Sequence, residues 1–418
     1  MKTKIGIVTV KLIVLFSLLT SCKMPNDPEG YVGAKDITPP KIEICSPAQN
    51  TTVKGIVQIK LLVKDLFRVK EISFRDAQGN YSPILKEGTS GDTLIYSASL
   101  AMHSGSFQTY IEVKDESDNI RRAQLNLNVI PLMKSEFEND GHGISVYDIE
   151  MDGNGNLWFG AFEGLLKYNG VTFSSTVPGF DLPRPFVSSI AFDKHNTLWM
   201  KYSQRYNSES PRLIEFNGSS IINNYYFPET YPYSYRYLAV DNSDSVYGAG
   251  SDAFFKFKDG NYSVTYAGIN KRFFYMTNDK NYRVWMKTTD GIQIFENNEW
   301  RLITPTYPIF NDFFVIDDSL NLWAKHNGRP YAIVKYDGVS WYSYDLVSSN
   351  IEIRAFDVDR DGNLWVASDL YIEKFNSNGV LIKRMCNLSD CGYLKADNQN
   401  NIWLCTNWKI YRLNENGL

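Results

Sequence analysis

The sequence predicts an all-β fold built from a repeated four-stranded unit, and three observations support this prediction. An Asp followed six residues later by Trp, or once by Tyr, occurs seven times. The aromatic residues lie 41, 48, 38, 38, 42 and 38 positions apart, a period typical of repeat architectures. The segments between them read as short strands with Asn-Gly or Asp-Gly hairpins and no helical periodicity. These features predict a seven-bladed β-propeller. The pairs are Asp152 and Trp158, Asp193 and Trp199, Asp241 and Tyr247, Asp279 and Trp285, Asp317 and Trp323, Asp359 and Trp365, and Asp397 and Trp403.

Each repeat begins with an apolar strand that ends at the Asp and continues into a turn of Gly, Asn, Asp and Ser, residues that suit tight turns. A second strand starts at the aromatic, a third resembles Gly164–Gly170, and a short fourth resembles Val171–Ser174. We interpret the Asp as an acceptor for turn amides and the aromatic as filler between blades. The residue nine positions before each aromatic is always apolar: Ile149, Ile190, Leu238, Met276, Phe314, Phe356 and Leu394.

The last repeat reaches only its third strand before residues 416–418. A matching fourth strand precedes the first repeat, around Met133–Phe137. We expect this strand to complete the last blade and to close the ring, because closure hides sheet edges that would otherwise pair with other chains. The propeller is therefore predicted to span residues 132–418.

The N-terminus reads as a targeting signal. Lys2 and Lys4 precede the apolar stretch Ile5–Leu19, and the following Leu-Thr-Ser-Cys resembles the bacterial lipobox. The resemblance implies a signal peptide over residues 1–22, lipidation at Cys22 and an outer-membrane lipoprotein that faces the periplasm or the cell surface. A transmembrane anchor is the alternative, but the stretch is short and Lys11 interrupts it. Residues 23–36 read as a flexible tether.

Charge and cysteine content exclude several functions. The formal charge of −4 becomes −7 without the signal peptide, which carries three Lys and no acid. An acidic protein is a poor candidate for nucleic-acid binding. Cys386 and Cys391 are close enough in sequence to form a disulfide or to remain thiols, whereas Cys45 and Cys405 are expected to be buried thiols. No Cys-x-x-Cys spacing is present, and we expect no metal or cofactor.

Residues 37–131 lack the repeat and contain several short strand-forming runs, which suggests a β-sandwich. Examples are Val57–Val63, Phe107–Val113 and Ala123–Ile130. The start of the first strand, Pro39–Ile42, and the recurring Val-Lys-Asp resemble the immunoglobulin-like domains of bacterial surface proteins. The resemblance implies a spacer.

The repeat Asp-x-x-Gly-Asn-Leu-Trp, followed by Gly-Leu-x-Lys-Tyr-x-Gly, resembles the two-component regulator propeller repeat over residues 133–418. Residues 152–158 with 164–170, and residues 359–365, carry the likeness. In that family the repeats usually form the periplasmic sensor of a histidine kinase, often linked to glycan sensing. We see no kinase or receiver domain in this chain, and we expect a tethered binding propeller rather than direct signalling.

The repeats also resemble those of streptogramin-type lyases, which implies a lyase or hydrolase as an alternative. Such enzymes use His and acidic groups that converge with a metal. His142 and His326 fall in different blades, and neither has a Glu at a telling spacing.

An aromatic loop, Tyr225–Arg236, is the first candidate ligand site. Exposed aromatic rings stack on sugars and are favoured at protein interfaces, whereas packing over neighbouring loops is the alternative. The candidate residues are Tyr226, Phe227, Tyr231 and Tyr233.

A cationic rim is the second candidate site. Lys201, Lys287 and Lys325 stand two positions after the aromatic, where the resembled family usually has Gly. A ring of cations would bind an anionic ligand such as an acidic glycan, unless each Lys reaches solvent or pairs with a carboxylate. Residues near the same rim are Arg205, Arg272, His326 and Arg329.

We therefore predict a non-enzymatic cell-envelope lipoprotein whose propeller binds a glycan or a protein partner, with a lipid anchor as its only membrane contact. A lyase or hydrolase and a structural scaffold are the alternatives. An enzyme should show clustered acids with perturbed pKa values, a glycan binder an exposed aromatic platform, and a scaffold a broad apolar patch.

Overall fold

The computed structural model describes residues 36–65, 69–75, 81–85, 93–100, 102, 104–138, 144–174, 185–204, 211–227, 236–266, 268, 271–346, 352–368, 371–386, 391–407 and 409–416. Every helix or strand within these ranges is a β-strand, which confirms the all-β prediction. The described residues contain no helix of the length and hydropathy that crossing a membrane would require. The predicted signal peptide, Cys22 and the tether up to residue 35 lie outside these ranges.

The chain divides into two compact units. One contains the chain up to Ser46, Lys60–Tyr96 and Thr109–Leu125, and the other contains Pro47–Ile59, Ser97–Gln108 and Asn126–Leu418. Several N-terminal strands contribute residues to both units, so the predicted boundary between residues 131 and 132 stays a prediction.

The N-terminal strands form two sheets. One has three strands in the order β1-β3-β6, and the other has five in the order β2-β8-β7-β4-β5. The predicted strands fall on β3, β7 and β8, while the immunoglobulin-like type of this region stays a prediction. The strands are β1 (Lys41–Ser46), β2 (Thr51–Val53), β3 (Ile56–Lys64), β4 (Val69–Arg75), β5 (Tyr81–Leu85), β6 (Thr93–Ser99), β7 (Gly105–Asp115) and β8 (Ile120–Val129).

Seven antiparallel four-stranded sheets follow within the described residues, and their strands come in chain order except in the last sheet. The first six are β10 (Val146–Met151), β11 (Leu157–Ala161), β12 (Gly164–Tyr168) and β13 (Phe173–Ser174); β14 (Pro185–Phe192), β15 (Leu198–Gln204), β16 (Arg212–Phe216) and β17 (Ile221–Tyr226); β18 (Tyr237–Val240), β19 (Val246–Ala249), β20 (Ala253–Lys258) and β21 (Asn261–Tyr266); β22 (Phe273–Asn278), β23 (Val284–Thr288), β24 (Gly291–Glu296) and β25 (Glu299–Ile303); β26 (Ile309–Ile316), β27 (Leu322–His326), β28 (Ala332–Tyr336) and β29 (Trp341–Asp345); β30 (Ile353–Val358), β31 (Leu364–Ser368), β32 (Ile372–Phe375) and β33 (Leu381–Cys386).

The seventh sheet combines strands from distant parts of the chain. It contains β34 (Tyr393–Ala396), β35 (Ile402–Cys405) and β36 (Lys409–Leu413), and its fourth strand is β9 (Met133–Glu138). β9 runs antiparallel to β36, with Met133 opposite Leu413. The prediction that an N-terminal strand completes the last sheet is therefore confirmed.

The repeated Asp holds the turn between the first and second strands of each sheet. In the first repeat, Asp152 Oδ1 accepts the backbone N–H groups of Asn154 and Asn156 at 2.9 and 2.8 Å. Its other oxygen accepts the Trp158 indole N–H at 2.9 Å. All seven repeats have the Asp–aromatic hydrogen bond, at 2.8 to 3.2 Å. The seven Asp are buried, so the structural interpretation of this residue is correct.

A left-handed residue closes each of these turns, three positions after the Asp, with φ between 57° and 81°. Gly and Asn adopt this conformation easily, which explains much of the turn composition. The fourth and fifth repeats place Tyr282 and Leu320 there instead. The carboxylate hydrogen bonds in these two turns therefore offset an unfavourable backbone conformation.

Each repeat aromatic packs against the next sheet. Trp158 belongs to one core cluster with Val187 and Leu198 of the second sheet. The other repeats behave alike, and Trp403 of the seventh sheet packs with Phe159 of the first. The apolar contacts therefore run through all seven described sheets and return to the first.

We predict that Asp152→Ala lowers the free energy of unfolding by about 4 kcal/mol, because it leaves buried donors without an acceptor. Urea denaturation followed by tryptophan fluorescence measures this change. Asp252→Ala is the matched control, since Asp252 is exposed and lies 3.7 Å from Arg272. The control should change stability by less than about 0.5 kcal/mol. Equal effects of the two substitutions would contradict a structural role for the repeated Asp.

Candidate functional site

A cavity of about 350 Å³ lies among the first strands of six sheets. β10, β18, β22, β26, β30 and β34 all contribute to its wall. This volume is within the range of small-ligand sites in proteins. The wall consists of residues 147–151, 237, 275, 277, 278, 313–318, 356–358, 360 and 392–398.

Strand alternation explains which side chains reach the cavity. Successive side chains of a strand point to opposite faces, so the positions on either side of the apolar residue share a face. Eight positions before the aromatic stand Glu150, Ala191, Ala239, Thr277, Val315, Asp357 and Lys395. Ten positions before it stand Asp148, Ser189, Tyr237, Tyr275, Phe313, Ala355 and Tyr393. The charged and aromatic members of both sets line the cavity.

Two carboxylates of the cavity connect neighbouring sheets. Asp148 Oδ2 accepts the Ser189 hydroxyl and the Ile190 backbone N–H, both at 2.9 Å. Asp357 Oδ2 accepts the Ala396 backbone N–H at 2.8 Å. Each carboxylate therefore connects the first strand of its own sheet to the first strand of the next sheet. These hydrogen bonds hold each carboxylate at a fixed place in the wall.

Burial disfavours ionisation of the carboxyl groups that line the cavity. Burial and the negative charge of Glu150 together raise the pKa of Asp148 to about 7, against the lowering effects of the Ile190 and Ser189 hydrogen bonds and of Lys395. Burial also raises the pKa of Glu150 and of Asp357, although Lys395 opposes both shifts. Near neutral pH, Asp148 is therefore poised between its two protonation states.

Lys395 is the cation at the centre of this group. Burial lowers the pKa of its ammonium, but Glu150, Asp357 and Asp148 outweigh burial and the net pKa is raised. Lys395 therefore stays charged across the physiological range. Among the described residues, no carboxylate forms an ion pair with its Nζ within 4.0 Å, so the attraction acts over a longer distance.

Aromatic rings form the opposite side of the cavity. Tyr237 and Tyr275 meet edge to face with centroids 4.7 Å apart, and Tyr275 lies 6.4 Å from Phe313. Phe313 in turn stacks on Phe356 at 4.8 Å. Burial and the nearby carboxylates raise the pKa of Tyr275, which keeps its hydroxyl protonated. The inner strands thus contribute charged side chains mainly from the first, sixth and seventh sheets and aromatic ones mainly from the third to fifth, while Tyr393 of the seventh sheet and Asp317 and Asp318 after β26 also line the cavity.

None of the predicted ligand-binding residues that the structure describes lines this cavity. Tyr226 is 60% exposed on the outermost strand of its sheet, where the Arg212 guanidinium lies 4.6 Å from its ring centroid. Phe227 is only 6% exposed, because it packs against Phe255 and Tyr262 in a core cluster. The prediction of an exposed platform is therefore wrong for Phe227. Arg205, Tyr231 and Tyr233 lie outside the described residues.

The three predicted rim lysines do not form a solvent-facing ring. Lys201, Lys287 and Lys325 are 8%, 5% and 6% exposed. Burial lowers the pKa of Lys201 to about 8 and also lowers that of Lys287. Lys287 donates to the Thr288 carbonyl at 2.6 Å, and Lys325 lies 4.0 Å from Glu352. The alternative interpretation, in which the lysines find partners in the protein, fits these contacts better.

His326 and Arg329 do lie together, as the sequence suggested. Arg329 donates to His326 Nε2 at 3.3 Å and to Asp345 at 2.9 Å. Burial and the guanidinium lower the pKa of His326, so its imidazole is neutral at neutral pH. Arg329 is already paired with Asp345, and a role for either side chain in anion binding stays a prediction.

The cysteines differ in part from the predictions. Cys391 is a buried thiol whose Sγ donates to the Tyr393 carbonyl at 3.3 Å. The Cys386 side chain lies outside the described part of the structure, so a disulfide between Cys386 and Cys391 stays a prediction. Burial raises the pKa of the Cys391 thiol to about 12. Cys405 is buried as predicted, but Cys45 is exposed, because the side of β1 that carries it does not face the core.

No protein-family profile matches the chain, and no curated protein matches it. Solved structures do. The extracellular domain of a proposed one-component system from Bacteroides thetaiotaomicron is similar over 67% of this chain and 40% of that chain, at 15% identity and a TM-score of 0.50. Virginiamycin B lyase from Staphylococcus aureus is similar over 67% of this chain and 97% of the lyase, at 12% identity and a TM-score of 0.52.

The fold is of the β-propeller type. Sequence identities this low support the fold alone. The chain spans well under half the length of the Bacteroides protein it matches.

Sequence reasoning missed the central cavity, although a signal for it is present. The apolar residue nine positions before the aromatic fixes which face of the first strand enters the core. The adjacent positions then face the centre, and only there do Asp148, Glu150, Asp357 and Lys395 replace the usual small or apolar residues.

We predict that the fold loses stability as the pH rises from 5 to 8, partly through Asp148. Its folded pKa of about 7 exceeds the ordinary Asp value of 3.8, so between these pH values the folded state holds a proton that the unfolded chain has already released. Asp148→Asn should reduce the fall in the free energy of unfolding by on the order of 2 kcal/mol. Urea titrations at several pH values test this, with Asp252→Asn as the exposed control. An unchanged pH profile in Asp148→Asn would contradict the assignment.

Proposed function

We propose that this chain is a non-enzymatic cell-envelope lipoprotein, a closed seven-bladed propeller that binds a small ligand in its central cavity. The cavity carries the proposal. It offers about 350 Å³, an aromatic side and a charged side, all on strands held by the repeated Asp turns. Rigid strands position ligand-binding groups more accurately than loops do.

A sugar unit fits this cavity better than a protein partner does. Tyr237, Tyr275 and Phe313 offer ring faces and edges for stacking, and Lys395 and Asn278 offer donors to hydroxyl oxygens. A protein interface needs a broad surface of several hundred Å² on each partner, which a narrow central cavity does not supply.

Two observations support the location in the cell envelope. The N-terminal segment through Cys22 resembles a lipoprotein signal. The similar Bacteroides structure is an extracellular domain. An outer-membrane anchor at Cys22, with the propeller facing the periplasm or the cell surface, follows as part of the proposal.

An acid–base enzyme is the second candidate, and Asp148 favours it. A carboxyl group with a pKa near neutrality beside an ammonium group can exchange a proton with a bound molecule. Neither described histidine, His195 or His326, lines the cavity, so the His-dependent chemistry that the lyase resemblance implies has no support there. Product analysis after incubation with a bound ligand separates binding from turnover.

We predict that filling the cavity abolishes ligand binding. Thr277→Trp places a large ring in the wall, whereas Thr265→Trp places the same ring on an exposed outer strand. A mixed library of sugars, amines and organic acids, screened by thermal shift on the purified full chain, supplies the binding readout.

A compound that stabilises the native protein and Thr265→Trp but not Thr277→Trp would support the central site. Far-ultraviolet circular dichroism confirms that both variants fold. Equal binding by both would move the site elsewhere, with exposed Tyr226 as the next candidate.

A further inference from the structure

We propose that the ligand of the central cavity carries a primary ammonium group together with oxygen acceptors, as an amino sugar with a free amine does. The inference rests on the proposed function and specifies the chemistry of the molecule that fits. Glu150 and Asp357 would hold the ammonium group, and Lys395 would donate to an oxygen of the same molecule.

The charge of the wall is unbalanced. Six carboxylates and two cationic side chains line the cavity. Asp317 and Asp397 are already used by their turn amides and Trp indoles. Arg360 donates to the Asn398 carbonyl.

The remaining carboxylates outnumber the one remaining cation. Asp148, Glu150, Asp357 and Asp318 act on Lys395, which cannot neutralise all of them. Charge in a poorly solvated site without a counter-charge is costly, and burial raises the pKa of both Glu150 and Asp357. A bound cation would supply the missing positive charge, and its binding would become tighter as the carboxylates ionise.

The spacing of the carboxylates favours an organic cation over a metal ion. Within the described part of the chain, only Asp36, Asp65 and Asp115 bring three candidate metal ligands within 4.8 Å of one another. No third ligand therefore joins Glu150 and Asp357 at the spacing that a bare metal ion needs. Both oxygens of Asp148 accept hydrogen bonds from the protein, and Asp357 commits one oxygen to the Ala396 backbone N–H. An ammonium group can be held by two carboxylates, because its third N–H can donate to another acceptor.

The aromatic side points to the same class of ligand. Tyr237, Tyr275 and Phe313 line the cavity together with the carboxylates. Aromatic rings attract organic cations through their faces and also stack on the apolar face of a sugar ring. Carboxylates and aromatic rings in one enclosed site therefore select a molecule with both an ammonium group and a carbon framework.

Isothermal titration of the purified full chain tests the inference with matched compounds. Glucosamine carries the amine, N-acetylglucosamine and glucose lack the charge, and glucuronate carries the opposite charge. Lysine and putrescine separate an amino-sugar source from an amino-acid or polyamine source. Calcium chloride tests the metal alternative.

We expect an amine to bind at least about tenfold more tightly than its uncharged counterpart, because charge-assisted hydrogen bonds are lost with the charge. Glu150→Gln and Asp357→Asn should each reduce amine affinity about tenfold, and Asp252→Asn should leave it unchanged. Two independent variants keep the test valid if one of them folds poorly.

Three results would overturn the inference. Tighter binding of glucose, N-acetylglucosamine or glucuronate than of any amine would show that the cavity does not select a positively charged ligand. Calcium binding that the same two variants abolish would assign a metal site. Equal amine binding by the native protein and by both cavity variants would place the amine elsewhere. If no sugar, amine, acid or metal binds at all, the proposed function itself fails, together with the inference.

Discussion

A buried aspartate carboxylate in every turn holds this molecule together. One oxygen satisfies backbone amides that a tight turn would leave without partners, and the other orients the aromatic of the next strand. That aromatic packs into the neighbouring sheet, so a single side chain couples the local turn to the contact between sheets. Seven such couplings pass from sheet to sheet and return through Trp403 to the first. Because hydrogen bonds to a buried charge are strong, turns with Tyr282 and Leu320 in left-handed conformations are tolerated.

Because a few residues of each repeat form the framework, other positions of the first strand of each sheet can vary. The framework residues are the Asp, the aromatic and the apolar residue nine positions before it, and these are alike in every repeat. The two positions beside that apolar residue differ from sheet to sheet. Charged residues stand there on the first, sixth and seventh sheets, and aromatic residues on the third to fifth and, at Tyr393, on the seventh. A ring of nearly equivalent sheets therefore encloses a cavity with two unlike sides, and that difference can orient a small molecule.

The sequence was sufficient to predict the features that repeat. The all-β class, the Asp turns and the closing strand β9 follow from a pattern with seven copies, in which chance agreement is improbable. Features that occur only once were harder to predict from the sequence. Phe227 looked exposed because its loop is broken by Pro, and the three lysines because they stand near the ends of second strands, yet all four side chains are buried. The cavity residues are far apart in sequence, and only ring closure brings Lys395 near Glu150 and Asp148. Cys45 shows the same limit on a small scale, since alternation allows either face of β1 to be buried.

The pairing of β9 with β36 also sets the order of events during synthesis. Lys409 lies opposite Glu138, 271 positions earlier in the chain, so the two strands cannot meet until nearly the whole propeller has left the ribosome. Contacts between such distant segments carry a large loop-closure entropy and slow the final folding step. Until then β9 and the outer edge of β36 are unpaired strands, which are prone to join other chains. A chain built this way therefore exposes unpaired strand edges to its own copies during the interval between emergence and closure.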